Sequence, residues 1–128
     1  MHKDHVTQTE RLEIRRFTAH DIPALAKLFA DPEVMKFSAV GRPLLRKEVE
    51  DLMNTKILPE YTQNGFGRYA IIKKDDGILI GYAGLCKQSV SGLGTLVDLG
   101  YAFDKNYWGK GYATETAKAL VNHARDLN

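Results

Sequence analysis

The chain has 128 residues, a length that suits one domain around one hydrophobic core. It has 44% hydrophobic and 27% charged residues and a formal net charge of +2 without a block of like charges, which argues against a dedicated nucleic-acid-binding protein. The single cysteine excludes an intramolecular disulfide framework, and without a signal-peptide core or a run of about 20 apolar residues we expect a cytoplasmic protein that does not bind membranes.

The first half of the chain predicts one strand followed by helices. The polar residues 1–5 are expected to form a mobile tail. Residues 12–17 alternate apolar and charged side chains, which is typical of a half-buried strand. Helical spacing of apolar residues follows over 22–29, a short helical turn is expected from Pro32 to about Phe37, and a third stripe over 45–57 predicts a helix up to Pro59.

The second half predicts an antiparallel meander and a final helix. Residues 66–74 and 78–87 are β-rich runs joined by a hairpin signal, Asp-Asp-Gly, at 75–77. A fourth strand is predicted over 95–103 and a helix over 111–127. The order β-α-α-β-β-β-α indicates a single α+β domain over residues 1–128.

Two glycines, Gly109 and Gly111, lie where the fourth predicted strand gives way to the last helix. A helix N-terminus presents unpaired backbone N–H groups, and glycine lets a ligand approach them closely. The run lacks the pattern of a nucleoside-triphosphate loop and the third glycine of a dinucleotide fingerprint. The turn therefore indicates a phosphate-bearing ligand held by main chain, or a connection that needs glycine only for chain geometry.

Period-two alternation places Asp98 on the same strand face as Gly100 and Ala102. A carboxylate beside two very small residues, on a strand that leads to an anion-binding turn, is typical of a ligand groove. The alternative is a solvent-facing aspartate on a half-exposed sheet, and the spacing alone leaves both open.

Three parts of the chain, which occur in family order, resemble the GNAT superfamily of N-acetyltransferases. Residues 108–113, Trp-Gly-Lys-Gly-Tyr-Ala, resemble its acetyl-CoA motif Gln/Arg-x-x-Gly-x-Gly/Ala, with Trp108 in the first position. Residues 107–115 resemble the RimJ/RimL branch, which acetylates protein N-terminal amines and related amines. Thr-Glu-Arg-Leu at 9–12 with Arg-Arg-Phe-Thr at 15–18 resembles the opening of that branch, and Asp-Leu-Gly-Tyr at 98–101 resembles its Glu-Ile-Gly-Tyr stretch.

The resemblance implies a GNAT-like (acyl-CoA N-acyltransferase) fold with acetyl-CoA as cosubstrate and no metal. The pantetheine arm is expected to pair with the backbone of Tyr101, Ala102 and Phe103. The diphosphate is expected on the N–H groups of the glycine turn, from residues Trp108, Gly109, Lys110, Gly111, Tyr112, Ala113 and Thr114. The Lys110 side chain either adds a phosphate contact or is a solvated loop lysine.

The implied chemistry is direct transfer of an acetyl group to a primary amine, which needs a base for the attacking amine. Asp98 is the predicted catalytic base, directly or through water. The family places the acceptor near the first helices and the second predicted strand, which here indicates Phe37, Ser38, Arg42, Phe66 and Arg68. The acceptor is a protein N-terminus or a small amine.

The resemblance is incomplete, because the family fold continues with a strand, a helix and a closing hairpin that are not in this sequence. We therefore expect a truncated domain with an exposed sheet edge, and a possible homodimer through that edge. The alternatives to an active enzyme are a non-catalytic acyl-CoA-binding or interaction module and an inactive fragment. His2 and His5 lack companion ligands in the tail, so we expect no metal site.

Overall fold

The computed structural model describes residues 4–36, 38, 40–90 and 94–126, with only the backbone described for 85–90, 94–99 and 126. Five antiparallel strands form one sheet in chain order: β1 (His5–Gln8), β2 (Leu12–Arg16), β3 (Arg68–Lys73), β4 (Ile78–Val90) and β5 (Gly94–Phe103). The helices are α1 (Ile22–Phe29), α2 (Pro32–Met35), α3 (Arg46–Leu52), α4 (Leu58–Asn64) and α5 (Tyr112–Asp126), with 3₁₀ turns at Ala19–Asp21 and Lys105–Tyr107. The predicted α+β class is confirmed.

Helices cover both faces of the centre of the sheet. Four consecutive residues of β3, Tyr69 to Ile72, are buried, which requires cover on both sides of the strand. Tyr82 of β4 packs edge-on against Phe29 of α1, with ring centroids 5.3 Å apart. On the opposite face, His123 of α5 lies 6.1 Å from the Tyr69 ring. The β4–β5 register then places Ala102 on the α1 face, opposite Tyr82, and Tyr101 on the α5 face.

The prediction that the second long helix ends at Pro59 is wrong. Helix α3 continues through a π-helical turn, Met53–Ile57, into α4, and ends at Gly65 with φ +75°. Proline lacks an N–H and crowds the preceding turn of a regular helix. The wider π-helical turn lies directly before it and accommodates this interruption, so Pro59 occupies the first turn of α4.

The prediction of a mobile N-terminal tail is also wrong from residue 5 onwards. His5–Gln8 forms β1, which pairs with β2, and the structure therefore has five strands where the sequence predicted four. The His5 Nδ1 atom lies 3.1 Å from Glu13 Oε2 on the neighbouring strand. The segment contains the β-branched pair Val6 and Thr7, which has only a weak preference for strand structure. It forms a strand because it pairs with the edge of β2.

Helix α5 is the longest regular helix that the structure describes. None of the helices in the described ranges is long and apolar enough to cross a membrane.

Candidate functional site

The outer edge of β5 presents backbone groups of Tyr101 and Phe103. Asp104 N–H donates to the Ile80 carbonyl at 2.9 Å, so Asp104 and Ile80 form a hydrogen-bonded pair that continues the β4–β5 ladder. Hydrogen-bonded and non-bonded pairs alternate in an antiparallel ladder. The backbone N–H and carbonyl of Ala102 therefore face β4, and those of Tyr101 and Phe103 point away from it. Because β5 is outermost in the sheet formed by the described residues, these groups face outwards.

Trp108 forms a hydrogen bond with one of these outward groups. Its indole Nε1–H donates to the Phe103 carbonyl at 2.8 Å, although 46% of the residue remains exposed. The Tyr101 N–H, the Tyr101 carbonyl and the Phe103 N–H are the other outward groups of this pair of residues. Two donors and an acceptor in a row are suited to an extended ligand that carries amide groups.

The glycine turn after β5 presents further backbone donors. Gly109 and Gly111 have φ of +75° and +83°, a region that other residues rarely adopt. The Glu115 N–H bonds to the Gly111 carbonyl at 3.0 Å, which is the first bond of α5. The N–H groups of Tyr112, Ala113 and Thr114 therefore have no acceptor within the helix, and the helix dipole favours an anion beside them.

A cavity of about 560 Å³ joins the β5 edge to the glycine turn. Its wall also includes Val34 of α2 and Tyr107, which the sequence analysis did not place there. Lys110 is exposed and does not line this cavity; its Nζ lies 5.9 Å from the Tyr107 ring centroid. The other nine residues predicted to contact acetyl-CoA line it: Tyr101, Ala102, Phe103, Trp108, Gly109, Gly111, Tyr112, Ala113 and Thr114.

A cluster of charged and polar side chains outside the lining of this cavity supports the turn. Arg11 Nε donates to Glu115 Oε1 at 2.7 Å, and Arg11 Nη1 donates to the Lys110 carbonyl at 3.0 Å. Thr9 Oγ1 and the Arg11 backbone N–H both donate to Glu115 Oε2. The Arg11 guanidinium also lies 4.2 Å from the centre of the Tyr112 ring.

The same contacts determine the charge state of Glu115. Burial raises the pKa of its carboxyl group, but the hydrogen bonds from Thr9 and Arg11 outweigh that effect and hold the pKa below its usual value. Sequence analysis gave Arg11 and Glu115 no role in the site. The motif Thr-Glu-Arg-Leu at 9–12 was the available signal, but spacing alone cannot place it beside a helix about 100 residues later.

A second cavity, of about 690 Å³, meets the first at Tyr101 and Ala102. Its apolar wall comes from α1, α2, α3, the α2–α3 connection and β4, and a polar rim includes Glu48, Asp51 and Lys56. Gly100 also lines it, and a Cβ atom at that position would meet nothing within 4 Å. The apolar wall is formed by Phe29, Met35, Val40, Leu44, Leu52 and Tyr82.

The predicted acceptor residues have different positions relative to this second cavity. Ser38 and Arg68 line it. The Ser38 hydroxyl donates to the Met35 carbonyl at 2.7 Å, so it also stabilises its own turn. Arg42 and Phe66, which the structure does describe, lie outside the lining of both cavities.

Arg42 is exposed and forms a two-point contact with Glu48, at 2.7 and 3.0 Å. This pairing lowers the pKa of Glu48 to about 2, with the Leu45 N–H as a further donor. Glu48 itself lines the second cavity, so Arg42 neutralises one of the carboxylates on its rim. Phe37 lies outside the described residues.

Asp98, the predicted base, is described only by its backbone, which pairs with Cys86 in the β4–β5 ladder. The sequence predicts it on the same strand face as Gly100 and Ala102, and both of those residues line the second cavity. Its role stays a prediction.

The described residues contain no group of three or more His, Cys, Asp or Glu side chains arranged to hold a metal ion. The donors at the site are backbone N–H groups, which bind anions and carbonyl oxygens rather than cations.

The chain is similar to a known protein family and to individual proteins. Residues 11–128 match the family model described as "Acetyltransferase (GNAT) domain". The chain is 27% identical over 116 residues to the "Uncharacterized N-acetyltransferase p20" of Bacillus licheniformis, and the match covers 90% of this chain and 63% of that protein.

Two solved structures illustrate the shared fold. A GNAT-family acetyltransferase from Bacillus anthracis has a TM-score of 0.73 at 24% identity, covering 93% of this chain and 64% of that one. RimL, described as a ribosomal L7/L12 alpha-N-protein acetyltransferase in complex with coenzyme A, has a TM-score of 0.72 at 18% identity, covering 93% and 66%. This chain thus spans about 63–64% of the length of p20 and of the B. anthracis protein.

Proposed function

This chain belongs to the GNAT acetyltransferase domain family, and we propose that it binds acetyl-CoA along the outer edge of β5 and transfers the acetyl group to a primary amine. The observation that carries the proposal is the first cavity. It joins outward backbone donors of Tyr101 and Phe103 to the donors of a glycine turn at a helix N-terminus. An extended amide chain that ends in a diphosphate requires these two features in this order.

The donors differ in what they recognise. The outward N–H and carbonyl of Tyr101 and the N–H of Phe103 suit the amides of a pantetheine arm. The N–H groups at the start of α5, with positive φ at Gly111, suit the diphosphate. Val34 and Tyr107 also line the first cavity.

The acceptor amine is proposed to occupy the second cavity and to approach the thioester where the two cavities meet, at Tyr101 and Ala102. Asp98, which the sequence predicts on the same strand face as Gly100 and Ala102, is proposed as the base that takes the amine proton. The nitrogen then forms the amide bond as the carbon–sulfur bond of the thioester breaks, and coenzyme A leaves as a thiolate. The thiolate takes a proton from water, and Asp98 returns the amine proton to water. The apolar wall and mixed-charge rim favour an amine on a partly apolar group.

The proposal is tested first by binding. Trp108 is the chain's one tryptophan and lines the first cavity, so its fluorescence reports on occupation of that cavity. We expect a saturable change on titration with acetyl-CoA and a weaker response to ADP. No change in a folded sample would refute the proposed site, and calorimetry of the same samples controls for a silent fluorophore.

Turnover then separates an enzyme from a binding module. Release of free thiol from acetyl-CoA should depend on added amine and be absent without it. Binding of acetyl-CoA with no turnover on any of a set of candidate amines would favour the alternative of a non-catalytic acyl-CoA-binding or interaction module. A folded chain that neither binds nor turns over would favour an inactive fragment.

The panel of acceptors should contain a protein N-terminus and small amines. RimL is described as acting on the α-amino group of ribosomal L7/L12, and its fold is shared. We therefore propose a peptide with a free N-terminus as the first acceptor, with the same peptide acetylated at its N-terminus as the control. A preference for polyamines or amino acids over the peptide would place the activity among small-molecule acetyltransferases instead.

A homodimer through the β5 edge is proposed to compete with acetyl-CoA, since both would use the outward groups of Tyr101 and Phe103. Sedimentation at increasing concentration should show self-association that acetyl-CoA reduces. A strictly monomeric chain at high concentration would refute the dimer without affecting the binding proposal. Cytoplasmic location stays a prediction.

A further inference from the structure

The glycine turn is held by Arg11, a residue that does not line the cavity. Its guanidinium makes three different contacts: hydrogen bonds to the Glu115 carboxylate, a hydrogen bond to the Lys110 carbonyl, and stacking on the Tyr112 ring. Arg11 lies in the β1–β2 connection, so the contacts join a distant part of the chain to the turn. Only a planar group with several donors can make all three at once.

The contact with the Lys110 carbonyl fixes the direction of the next N–H group. In a trans peptide, the carbonyl of one residue and the N–H of the following residue point in opposite directions. The Lys110 carbonyl points to Arg11, and Gly111 lines the first cavity, whose lining does not include Arg11. The Gly111 N–H is therefore directed away from Arg11.

The same arginine also balances the charge of Glu115. This carboxylate lies in the first turn of α5, close to the donors of the turn, and its negative charge would repel a phosphate group. The Arg11 Nη2 atom lies 2.7 Å from Glu115 Oε1, so the pair is close to neutral as seen from the cavity.

We infer that Arg11 is a positioning residue for the acyl-CoA diphosphate: it holds the Lys110–Gly111 peptide so that the Gly111 N–H faces the phosphate, while Glu115 anchors the guanidinium. The inference rests on the proposed function. It assigns a role in ligand binding to a side chain that does not contact the ligand.

The decisive variant is Arg11→Lys, which keeps the charge near Glu115 but loses the planar fork and the ring stacking. Arg46→Lys is the matched control, since Arg46 forms a surface ion pair with Glu50 at 3.6 Å and lines neither cavity. Two ligands are compared in each protein. Acetyl-CoA carries the diphosphate, and S-acetylpantetheine carries the same acyl group and arm without it.

We expect Arg11→Lys to weaken acetyl-CoA binding about tenfold, by loss of a charge-assisted hydrogen bond, and to leave S-acetylpantetheine binding unchanged. In turnover the KM for acetyl-CoA should rise with little change in kcat. Arg46→Lys should match the original chain with both ligands. Equal weakening of both ligands, or of neither, would refute the inference.

A ligand-free measurement separates this inference from the proposed function. Backbone ¹⁵N relaxation should show an ordered Gly111 amide with an order parameter of about 0.85. The order parameter should fall below about 0.6 in Arg11→Lys and not in Arg46→Lys. Unchanged order in Arg11→Lys would refute the positioning role even if acetyl-CoA binds. Absence of acetyl-CoA binding by the original chain would refute the proposed function and, with it, the assigned ligand.

Discussion

Replacing Gly111 with alanine tests whether the conformation of the glycine turn is what binds the cosubstrate. Gly111 has φ +83°, and an added Cβ atom would lie 3.4 Å from Arg11 Nη2, a contact that needs little movement. The main cost is therefore conformational, about 1–2 kcal/mol for a non-glycine residue in the left-handed region. For a chain of this length that corresponds to a decrease in Tm of about 4–8 °C.

The effect on binding follows from how the alanine relieves that cost. A negative φ requires rotation about the N–Cα bond of residue 111, which turns the Lys110–Gly111 peptide away from Arg11. The N–H directed at the phosphate would then be lost. A hydrogen bond to a charged group contributes about 1.5–3 kcal/mol, so acetyl-CoA affinity should fall roughly ten- to a hundredfold.

Gly65→Ala is the matched control for this experiment. Gly65 has φ +75°, ends α4, and has open space around its Cβ position, so its substitution carries a similar conformational cost far from the turn. Thermal unfolding should show comparable losses for both variants, and Trp108 fluorescence should show weaker acetyl-CoA binding only for Gly111→Ala. Normal affinity in Gly111→Ala, or equal losses of affinity in both, would refute the reasoning.

Three further predictions concern catalysis, acid stability and packing. Asp98→Asn should lower kcat by about 10²-fold or more with acetyl-CoA affinity nearly unchanged, and an unchanged kcat in steady-state assays would remove Asp98 from the mechanism. Burial raises the pKa of Asp21, but hydrogen bonds from Arg15, at 2.8 and 2.9 Å, and from the backbone outweigh it, so the pKa is lowered. Its contribution to stability is therefore full above the unfolded-state pKa of about 3.9 and is lost as pH falls through the lower folded value. Urea unfolding between about pH 5 and pH 1 should show this loss in the original chain and a flatter profile in Asp21→Asn; identical profiles would contradict it. Tyr61→Phe leaves the buried Phe17 N–H without its 2.9 Å partner and should cost about 1–3 kcal/mol in chemical unfolding, whereas a neutral result would show that water replaces the hydroxyl.

The glycine turn was predictable because its determinants are local. Gly109 and Gly111 are two residues apart, and the strand before them and the helix after them each have a clear periodicity. The alternation in β5 was also local. Once the β4–β5 register is known, it follows that the backbone groups of Tyr101 and Phe103 face the outer edge of β5. Backbone sites of this kind depend on chain geometry that short segments largely determine.

The features that the sequence did not predict depend on contacts distant in the chain. The strand β1 has only a weak propensity and forms because the edge of β2 is available to it. Helix continuation past Pro59 depends on a π-helical turn, which has no simple spacing signal. The contact between Arg11 and Glu115 joins residues 104 positions apart, and only the packing of α5 beside the β1–β2 connection brings them together.

The two cavities differ in whether backbone groups or side chains recognise the ligand. The first cavity binds through backbone of β5 and of the glycine turn, whose geometry is set by hydrogen bonds and by φ rather than by side-chain identity. The second is walled by side chains from separate helical segments, such as Phe29 and Leu52, which can change without altering those backbone donors. Because Tyr101 and Ala102 are the only described residues that line both cavities, substitution of Leu52 should alter the preferred amine and leave acetyl-CoA affinity intact. On the proposed function, the acyl donor is therefore recognised by the fold itself, and the acceptor by the residues that individual chains place on it.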